Sequence, residues 1–371
     1  MKKKHWAIAL VTLALVIALV VWGRNRIHFD FRLLRDQVAL ANWWMIALGV
    51  GCIYAAYFFR SMRWASLMRH NRQVSAFSLI GTQVIGFTAV ALIGRVADLV
   101  RPYLVSKRTG TSLSAQIAVY IVERLFDFGT IALIFSVAMI WVPSAQILAV
   151  TGKSGVIATL TKTHPDLAIL FARFSGLLFT ILGGLVLAAI RFSGGVIATF
   201  VEDTLGMVSA KLGRSVADKI RAFHSGLDTM RSFSDFAYTL SLSVAMWLLI
   251  TVAYTVTCWA FVASPELAHA PLPKCVLLML ASGTASIVQL PVLGWFSQIG
   301  IVAVALAAIL GSSAEASLAC AAMLLAVTFL SIIPIGLIWA QVENISLRSV
   351  AAESGNATEN DLKVKEESET L

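Results

Sequence analysis

The sequence predicts an all-α membrane protein, a polytopic bundle of about seven to nine membrane segments. A helix that crosses the membrane completely needs roughly 20 apolar residues. Of the 371 residues, 58% are hydrophobic and only 13% are charged, and the mean hydropathy is +0.83. Soluble domains carry about 25% charged residues. Apolar runs of near-spanning length also recur through the first 340 residues. We therefore divide the chain into a membrane domain, residues 1–340, and a tail, residues 341–371.

The distribution of charge and cysteine argues against several kinds of site. The formal net charge is +9, although residues 341–371 hold seven acidic and three basic side chains. The positive excess elsewhere fits loops that contact anionic lipid head groups, and no basic–aromatic pattern for nucleic acid is present. The four cysteines are dispersed without a CxxC pair. We therefore expect no disulfide framework, no metal and no cofactor.

Hydropathy and basic residues define the first elements. Three lysines precede an apolar run, Trp6 to Trp22, which we predict to be a first span with its N-terminus in the cytoplasm. Residues Phe29 to Asn42 place apolar side chains on one face, which suggests an interfacial helix. A second span, Trp43 to Phe59, precedes an arginine-rich stretch without acids, residues 60–72, which is typical of a cytoplasmic loop.

Residues 77–112 are predicted to form a re-entrant hairpin. The apolar run 77–93 leaves the cytoplasmic side, and the next long span, 115–142, must start from that side as well. The stretch between them is too short and polar for a second crossing. We therefore place a turn near Gly94 and Arg95, where irregular backbone must be buried in protein or face water. Residues 171–190 form the following span.

The linker 191–236 carries charges of both signs and is predicted to be cytoplasmic. Its apolar side chains, from Val201 to Met230, recur at three- and four-residue spacing. This spacing indicates an amphipathic helix or a helical hairpin. We place it on the membrane surface or against a loop, and a homodimer seam is the alternative.

The C-terminal part contains a span at 238–262, a discontinuous element at 275–310 and a last helix at 318–340. Apolar halves of the discontinuous element flank a break at Pro291 and Gly294, and such broken helices often form binding sites in transporters. The halves either re-enter or span twice. In both cases the last helix leads into the cytoplasm, where we expect the polar tail 341–371 to be disordered.

Ionisable residues are concentrated at one point of this apolar chain: Arg95, Asp98, Arg101, Glu123, Arg124 and Asp127. If a helix begins near Leu113, Glu123 lies roughly 15 Å along it, near the middle of a hydrocarbon core of about 30 Å. An unpaired charge there costs about 2.5–3.5 kcal/mol. Glu123 and Asp127 share a helix face and can meet Arg101 or Arg95. We interpret the group as a polar cavity for a charged head group, a proton or an ion; a purely structural ion-pair cluster is the alternative.

These motifs resemble those of the flippase-like family named after the transmembrane region of lysylphosphatidylglycerol synthase. Its first motif, roughly P-x-R-x-G-E-x-x-R, is matched here by Gly94, Arg95, Asp98, Arg101 and Pro102. Its second motif, E-R-x-x-D, is matched in full by Glu123, Arg124 and Asp127. Its third, a P-G-G-x-G-x-x-E-like break, is matched by Pro291 and Gly294, with Gln298 in place of the glutamate.

The resemblance implies a flippase of the cell (inner) membrane that handles an amino-acylated, glycosylated or isoprenoid lipid. Its partners would be membrane lipids of the phospholipid, polyprenyl or hopanoid class and a lipid-biosynthesis enzyme. In the full synthases a soluble domain transfers the amino acid. The tail of about thirty residues is too short for such a domain, so we expect no synthase activity and no enzymatic function.

Two other functions stay open at this point. An enzyme, for example a transferase that uses a polyprenyl phosphate, would employ the carboxylates as bases or metal ligands, but no nucleotide-binding loop accompanies them. A non-catalytic partner or regulator of a lipid-modifying or polyprenyl-sugar enzyme would dock through the helix at 197–233 and the acidic tail.

Overall fold

The structure is a computed structural model that describes residues 30–69, 72–145, 163–207, 232–285 and 293–354, without positions 348 and 352, and the isolated positions 209, 213, 214 and 217. Within these residues the chain is helical and contains no strand, which confirms the predicted all-α class. The predicted first span, most of the stripe 201–230 and the break at Pro291 lie outside the described residues.

Twelve α-helices make up the described part of the chain. In order they are α1 (Phe31–Ala39), α2 (Trp43–Met68), α3 (Ala76–Ile93), α4 (Val100–Thr109), α5 (Leu113–Ile140), α6 (Pro165–Gly206), α7 (Phe233–Trp259), α8 (Pro265–Ala268), α9 (Leu272–Ala285), α10 (Leu293–Leu310), α11 (Ala314–Leu325) and α12 (Ile332–Val342). A 3₁₀ turn, Arg95–Leu99, joins α3 to α4, and a π-helical turn, Ala326–Leu330, joins α11 to α12.

Five helical segments in the described part are long and apolar enough to cross a membrane: Trp43–Met68, Ala76–Ile93, Pro165–Leu185, Phe233–Trp259 and Ala314–Val342. Shorter apolar helices occur at Leu272–Thr284 and Gly294–Leu310. Helix α5 has 28 residues and is also long enough to span, but charged side chains lie near its middle. The set fits the predicted polytopic bundle.

Polar N-cap residues determine where several helices begin. The side chain of Asn42 accepts hydrogen bonds from the first turn of α2. Ser112 caps α5, which therefore begins where predicted. Ser232 and Asp235 form a capping box at the start of α7, so this helix begins earlier than its hydropathy predicts.

Helix α2 extends to Met68, well beyond the predicted end at Phe59. Arg60 and Arg63 lie inside the helix and are 7% and 0% exposed. The predicted cytoplasmic loop 60–72 is therefore wrong over residues 60–68. A hydropathy count ends a span at such arginines, whereas these two are neutralised by acidic partners on another helix.

Helices α2 and α7 form the most extensive helix–helix contact of the described chain, and α3, α5, α9 and α11 pack around this pair. The largest buried apolar cluster lies among α2, α7, α9 and α11. Three cysteines that are dispersed in the sequence lie together in it. The Sγ atoms of Cys258 and Cys320 are 3.9 Å apart, and Cys275 is buried in the same cluster; all three are free thiols.

The predicted hairpin at 77–112 has its turn at the expected place. Helix α3 ends at Ile93, and Gly94 adopts φ 91°, a backbone conformation that favours glycine. Helix α4 then packs back against α3. With ten residues it is too short to span, so the two arms of the hairpin are unequal. The second predicted element, 275–310, consists of α9 and α10, which also pack against each other.

The start of the tail differs from the prediction of disorder for residues 341–371. Residues 343–354, here called the strap, follow α12, and Ile345, Leu347 and Val350 pack with apolar side chains of α3 and α4. The strap is ordered because the burial of these three apolar side chains stabilises it, although the segment is polar on average. The rest of the tail, 355–371, lies outside the described residues. The division of the chain at residue 340 stays a prediction.

Polar contacts fix the end of the strap on α4. The Glu353 carboxylate accepts hydrogen bonds from the Tyr103 hydroxyl at 2.7 Å and the Lys107 ammonium at 3.1 Å. These two bonds lower the pKa of Glu353, so this carboxylate is charged at neutral pH. Arg108 binds Glu343 at the other end, at 2.7 Å.

The strap should detach when its buried side chain becomes charged. In the Val350→Asp variant, burial of an unpaired carboxylate is unfavourable. We expect amide hydrogen exchange over residues 345–354 to accelerate by about tenfold or more, measured by mass spectrometry in detergent. Ser349→Asp, on the exposed side of the strap, is the matched control and should leave exchange unchanged. Equal exchange in both variants would contradict the packing described here.

Candidate functional site

Two buried carboxylates lie in the middle of α5. Glu123 and Asp127 are 1% and 3% exposed and are one helical turn apart. Because α5 begins at Leu113, Glu123 lies roughly 15 Å along the helix axis. In a spanning orientation this would be near the middle of a hydrocarbon core of about 30 Å.

The main partners of both acids are arginines of α2, which the sequence analysis assigns to a loop. The Glu123 Oε1 atom accepts a hydrogen bond from Arg60 Nη1 at 2.8 Å and from Arg63 Nη2 at 2.8 Å. Arg63 Nη1 donates to Asp127 Oδ1 at 2.7 Å and to the Ser243 hydroxyl at 2.8 Å. Arg63 therefore bridges both acids and ties α2 to α5 and α7.

Arg101 and Arg124, both predicted site residues, complete the cluster. Arg101 Nη1 lies 3.4 Å from each oxygen of Glu123 and donates to Gln83 Oε1 at 3.0 Å. Arg124 Nη2 is 3.1 Å from Glu123 Oε1 and 3.3 Å from Asp127 Oδ2. Arg101 thus has longer contacts to the acids than Arg60 and Arg63 have, which makes it the easiest of these three to draw toward another anion.

Aromatic rings hold the guanidinium group of Arg101 in place. Its Cζ atom lies 4.5 Å from the ring centre of Phe87, 5.1 Å from Tyr120 and 5.3 Å from Trp64. Cation–π attraction of this kind is worth about 2 kcal/mol when the groups are desolvated. The rings stabilise a buried cation without using its hydrogen-bond donors, and the Nη1 atom of Arg101 binds Gln83 and Glu123 instead.

Gly86 makes room for Arg101. The side-chain stem of Arg101 crosses α3 at this glycine, and an added Cβ would overlap the Cγ atom of Arg101. Any larger residue at position 86 must displace the arginine. The glycine therefore positions Arg101 without touching the acids.

The positive charges outnumber the negative ones in this cluster. Four guanidinium groups, those of Arg60, Arg63, Arg101 and Arg124, surround the two carboxylates, which leaves a formal excess of +2. Arginine donors in fork geometry suit phosphate and carboxylate ligands. The electrostatics of the cluster therefore favour an anionic group.

A cavity of about 240 Å³ lies beside the cluster. Helices α2, α3, α4, α5, α7, α9 and α10 line it, together with the 3₁₀ turn and the π-helical turn. Arg60, Arg101 and Arg124 reach its surface, as does Asp98. Arg63 is not part of the cavity wall and lies fully buried behind it.

Helices α9 and α10, here together called the second hairpin, contribute an uncharged polar wall to the same cavity. Gln298 of α10 and Ser282 of α9 line it, and the Gln298 amide nitrogen donates to the Ser282 hydroxyl at 2.9 Å. The Gln298 Oε1 atom is buried and accepts no hydrogen bond. The two elements that the sequence singled out separately, 77–112 and 275–310, therefore meet at one cavity.

Several predicted site residues do not line the cavity or lie outside the described residues. Gly294 is buried in the first turn of α10 and is not part of the cavity wall. Pro291 and the side chain of Arg95 lie outside the described residues. The prediction missed Arg60 and Arg63 entirely. Their i, i+3 spacing on one helix complements the i, i+4 spacing of the acids on another, and this match is the signal that could have found them.

With this geometry established, comparison with known families gives a specific match. The family model described as the lysylphosphatidylglycerol synthase TM region matches residues 6–336. The chain belongs to this family. No curated protein and no solved structure gives a match.

Membership of the lysylphosphatidylglycerol synthase TM region family agrees with the apolar helices and makes the chain a multi-pass membrane protein of lipid-related function. The matched region contains both hairpins and the charged cluster. Within the described residues, His, Cys, Asp and Glu side chains form no group that could hold a metal ion.

Arg63 and Arg101 should differ in their contribution to stability. Arg63→Leu removes the guanidinium group that binds both acids at 2.7–2.8 Å and leaves Asp127 with contacts of 3.1 Å or longer, for which we expect a loss of about 3–5 kcal/mol. Arg101→Leu should cost clearly less, because Glu123 keeps three closer arginines. Thermal unfolding in detergent, followed by intrinsic fluorescence, measures both variants. Equal destabilisation would mean that Arg101 is as structural as Arg63.

Proposed function

We propose that this protein moves a polar-headed lipid across the cytoplasmic (inner) membrane, with both termini of the chain in the cytoplasm. The lipid is of the amino-acylated, glycosylated or isoprenoid class that the family resemblance implies. One observation carries the proposal: a buried cluster with excess guanidinium charge lines a cavity between membrane helices.

The physical task of such a protein is to remove the barrier that hydrocarbon sets to a charged head group. A single charge at the bilayer centre costs about 2.5–3.5 kcal/mol on insertion scales and more by other estimates. Arg60, Arg101 and Arg124 offer a phosphate several charge-assisted hydrogen bonds along the path. The acyl or isoprenoid chains can stay in the lipid.

The distances within the cluster suit reversible binding. Glu123 lies 3.4 Å from Arg101. A phosphate that approaches Arg101 competes with this contact while Arg60 and Arg63 keep the carboxylate compensated at 2.8 Å. The guanidinium of Arg101 can therefore exchange one anion for another without leaving Glu123 unpaired.

The cluster favours binding over catalysis. Both carboxylates accept hydrogen bonds from arginines, so neither is poised as a general base. We accordingly propose a transporter and not an enzyme. The expected partners are membrane lipids and an enzyme that makes or modifies them.

A second candidate function is that of a non-catalytic partner or regulator of a lipid-modifying enzyme. Apolar side chains are exposed beyond the candidate span of α6: Val196 and Phe200 on the helix are 74% and 69% exposed, and Met207, directly after its end, is 84% exposed. A partner protein could cover such a surface. Under this alternative, Phe200→Asp would impair lipid modification in cells, and Arg101→Ala would not.

The transport proposal is tested in proteoliposomes that contain a fluorescent phospholipid, whose movement is read from quenching by an impermeant reductant. Arg101→Ala should slow movement by about tenfold or more, because it removes a charge-assisted contact. Arg108→Ala is the matched control, since Arg108 lies on the same helix but binds Glu343 at the surface. Full activity of a folded Arg101→Ala protein would overturn the proposal.

Gly86→Ala tests the same site without changing any charge. The added methyl group overlaps Arg101, so the arginine must move and lipid movement should fall about as far as in Arg101→Ala. At Gly129 of α5 an added methyl group meets nothing within 4 Å, and Gly129→Ala should retain activity. Equal rates for both glycine variants would show that the position of Arg101 is unimportant.

A further inference from the structure

We infer that Gln298 and Ser282 form a second, uncharged subsite of the cavity, which selects lipids whose head group beyond the phosphate is neutral and carries hydroxyl groups, and which disfavours amino-acylated, cationic head groups. The inference rests on the proposed function and narrows its substrate class.

The first observation is a buried hydrogen-bonding atom without a partner. Gln298 is 6% exposed and Ser282 is 5% exposed, and both line the cavity. Gln298 uses its nitrogen on Ser282 at 2.9 Å, whereas its Oε1 atom has no partner. Rotation of the amide would exchange the two atoms and leave the nitrogen open instead. In either orientation the subsite is neutral and can bind a hydroxyl group, which both donates and accepts.

The second observation is the charge of the cavity wall. Among the described residues, Arg60, Arg101, Arg124 and Asp98 line the cavity. The carboxylates of Glu123 and Asp127, together with Arg63, lie directly behind these arginines and pair with them. The four guanidinium groups and three carboxylates together leave a formal excess of one positive charge. One phosphate neutralises this excess, whereas an aminoacyl ammonium group would restore it. Like charges in a buried cavity repel strongly.

Together these observations assign two roles within one cavity. The arginines bind the phosphate that all candidate lipids share. Gln298, which comes from the other hairpin, contacts what lies beyond the phosphate and is therefore the residue that determines specificity. A polyol or sugar head group fits this pair of subsites.

The experiment compares short-chain lipids that differ only in the head group: phosphatidylglycerol, phosphatidylmethanol and lysyl-phosphatidylglycerol. Binding to the purified full-length protein in detergent is measured by thermal shift and by intrinsic tryptophan fluorescence, to which Trp247 in the cavity wall contributes. We expect phosphatidylglycerol to bind about fivefold to tenfold tighter than phosphatidylmethanol, the difference that a neutral hydrogen bond supplies. Lysyl-phosphatidylglycerol should bind most weakly.

Two variants assign the selectivity to Gln298. Gln298→Leu should bring phosphatidylglycerol down to the affinity of phosphatidylmethanol and leave phosphatidylmethanol unchanged. Gln298→Glu should raise the relative affinity for lysyl-phosphatidylglycerol. Gln37→Leu is the matched control: Gln37 is also 6% exposed with an open Oε1 atom, but it lies on α1, away from the cavity wall, and the variant should keep the wild-type order.

Equal or tighter binding of lysyl-phosphatidylglycerol by the wild-type protein overturns the inference, even if Gln298→Leu does not fold. An unchanged order in a folded Gln298→Leu protein overturns the assignment to Gln298. Selective binding without movement in proteoliposomes would overturn the proposed function and support the subsite. The two ideas therefore fail in different measurements.

Discussion

The pairing of Glu123 with arginines from three helices is the interaction on which the rest of the structure depends. Arg60 and Arg63 come from α2, Arg101 from α4, and Arg124 from α5 itself. Each of these charges alone would be expelled from a hydrocarbon core. Held together, they fix the packing of α2 against α5 and leave one side of the cluster facing a cavity. The same contacts that make the helices compatible with a membrane thus also create a cationic wall.

The cavity is built by two hairpins that are far apart in the sequence. The first, α3 and α4, supplies Arg101, and the second, α9 and α10, supplies Gln298. Helix α7 also lines the cavity; it packs against α9 and, along the most extensive contact of the described chain, against α2. The strap then covers the first hairpin through Val350 and Glu353. Separate elements therefore supply the charged wall of the cavity, its neutral polar wall and the apolar cover of the first hairpin.

Much of this arrangement follows from the sequence, and the exceptions have physical causes. Apolar run length identifies the spanning helices, the positive φ of Gly94 occurs at the predicted turn, and the capping serine starts α5 where expected. Arg60 and Arg63 were misassigned because single-segment hydropathy treats every arginine as unpaired. The strap was missed because three apolar residues that bury together do not change the average composition of a polar tail. Both errors concern pairings between distant segments, which local patterns do not contain.

The crossing of Arg101 over Gly86 has a consequence for how related chains can vary. The arginine stem fills the space that any side chain at position 86 would need, so position 86 cannot take a larger residue while the arginine is present. A chain that lost the arginine could acquire alanine or serine at 86 without meeting that stem. A larger residue at 86 should therefore occur only in chains in which residue 101 is no longer arginine. Natural sequences in which both residue 86 and residue 101 have changed would identify members of the family that lost the arginine of the cavity wall.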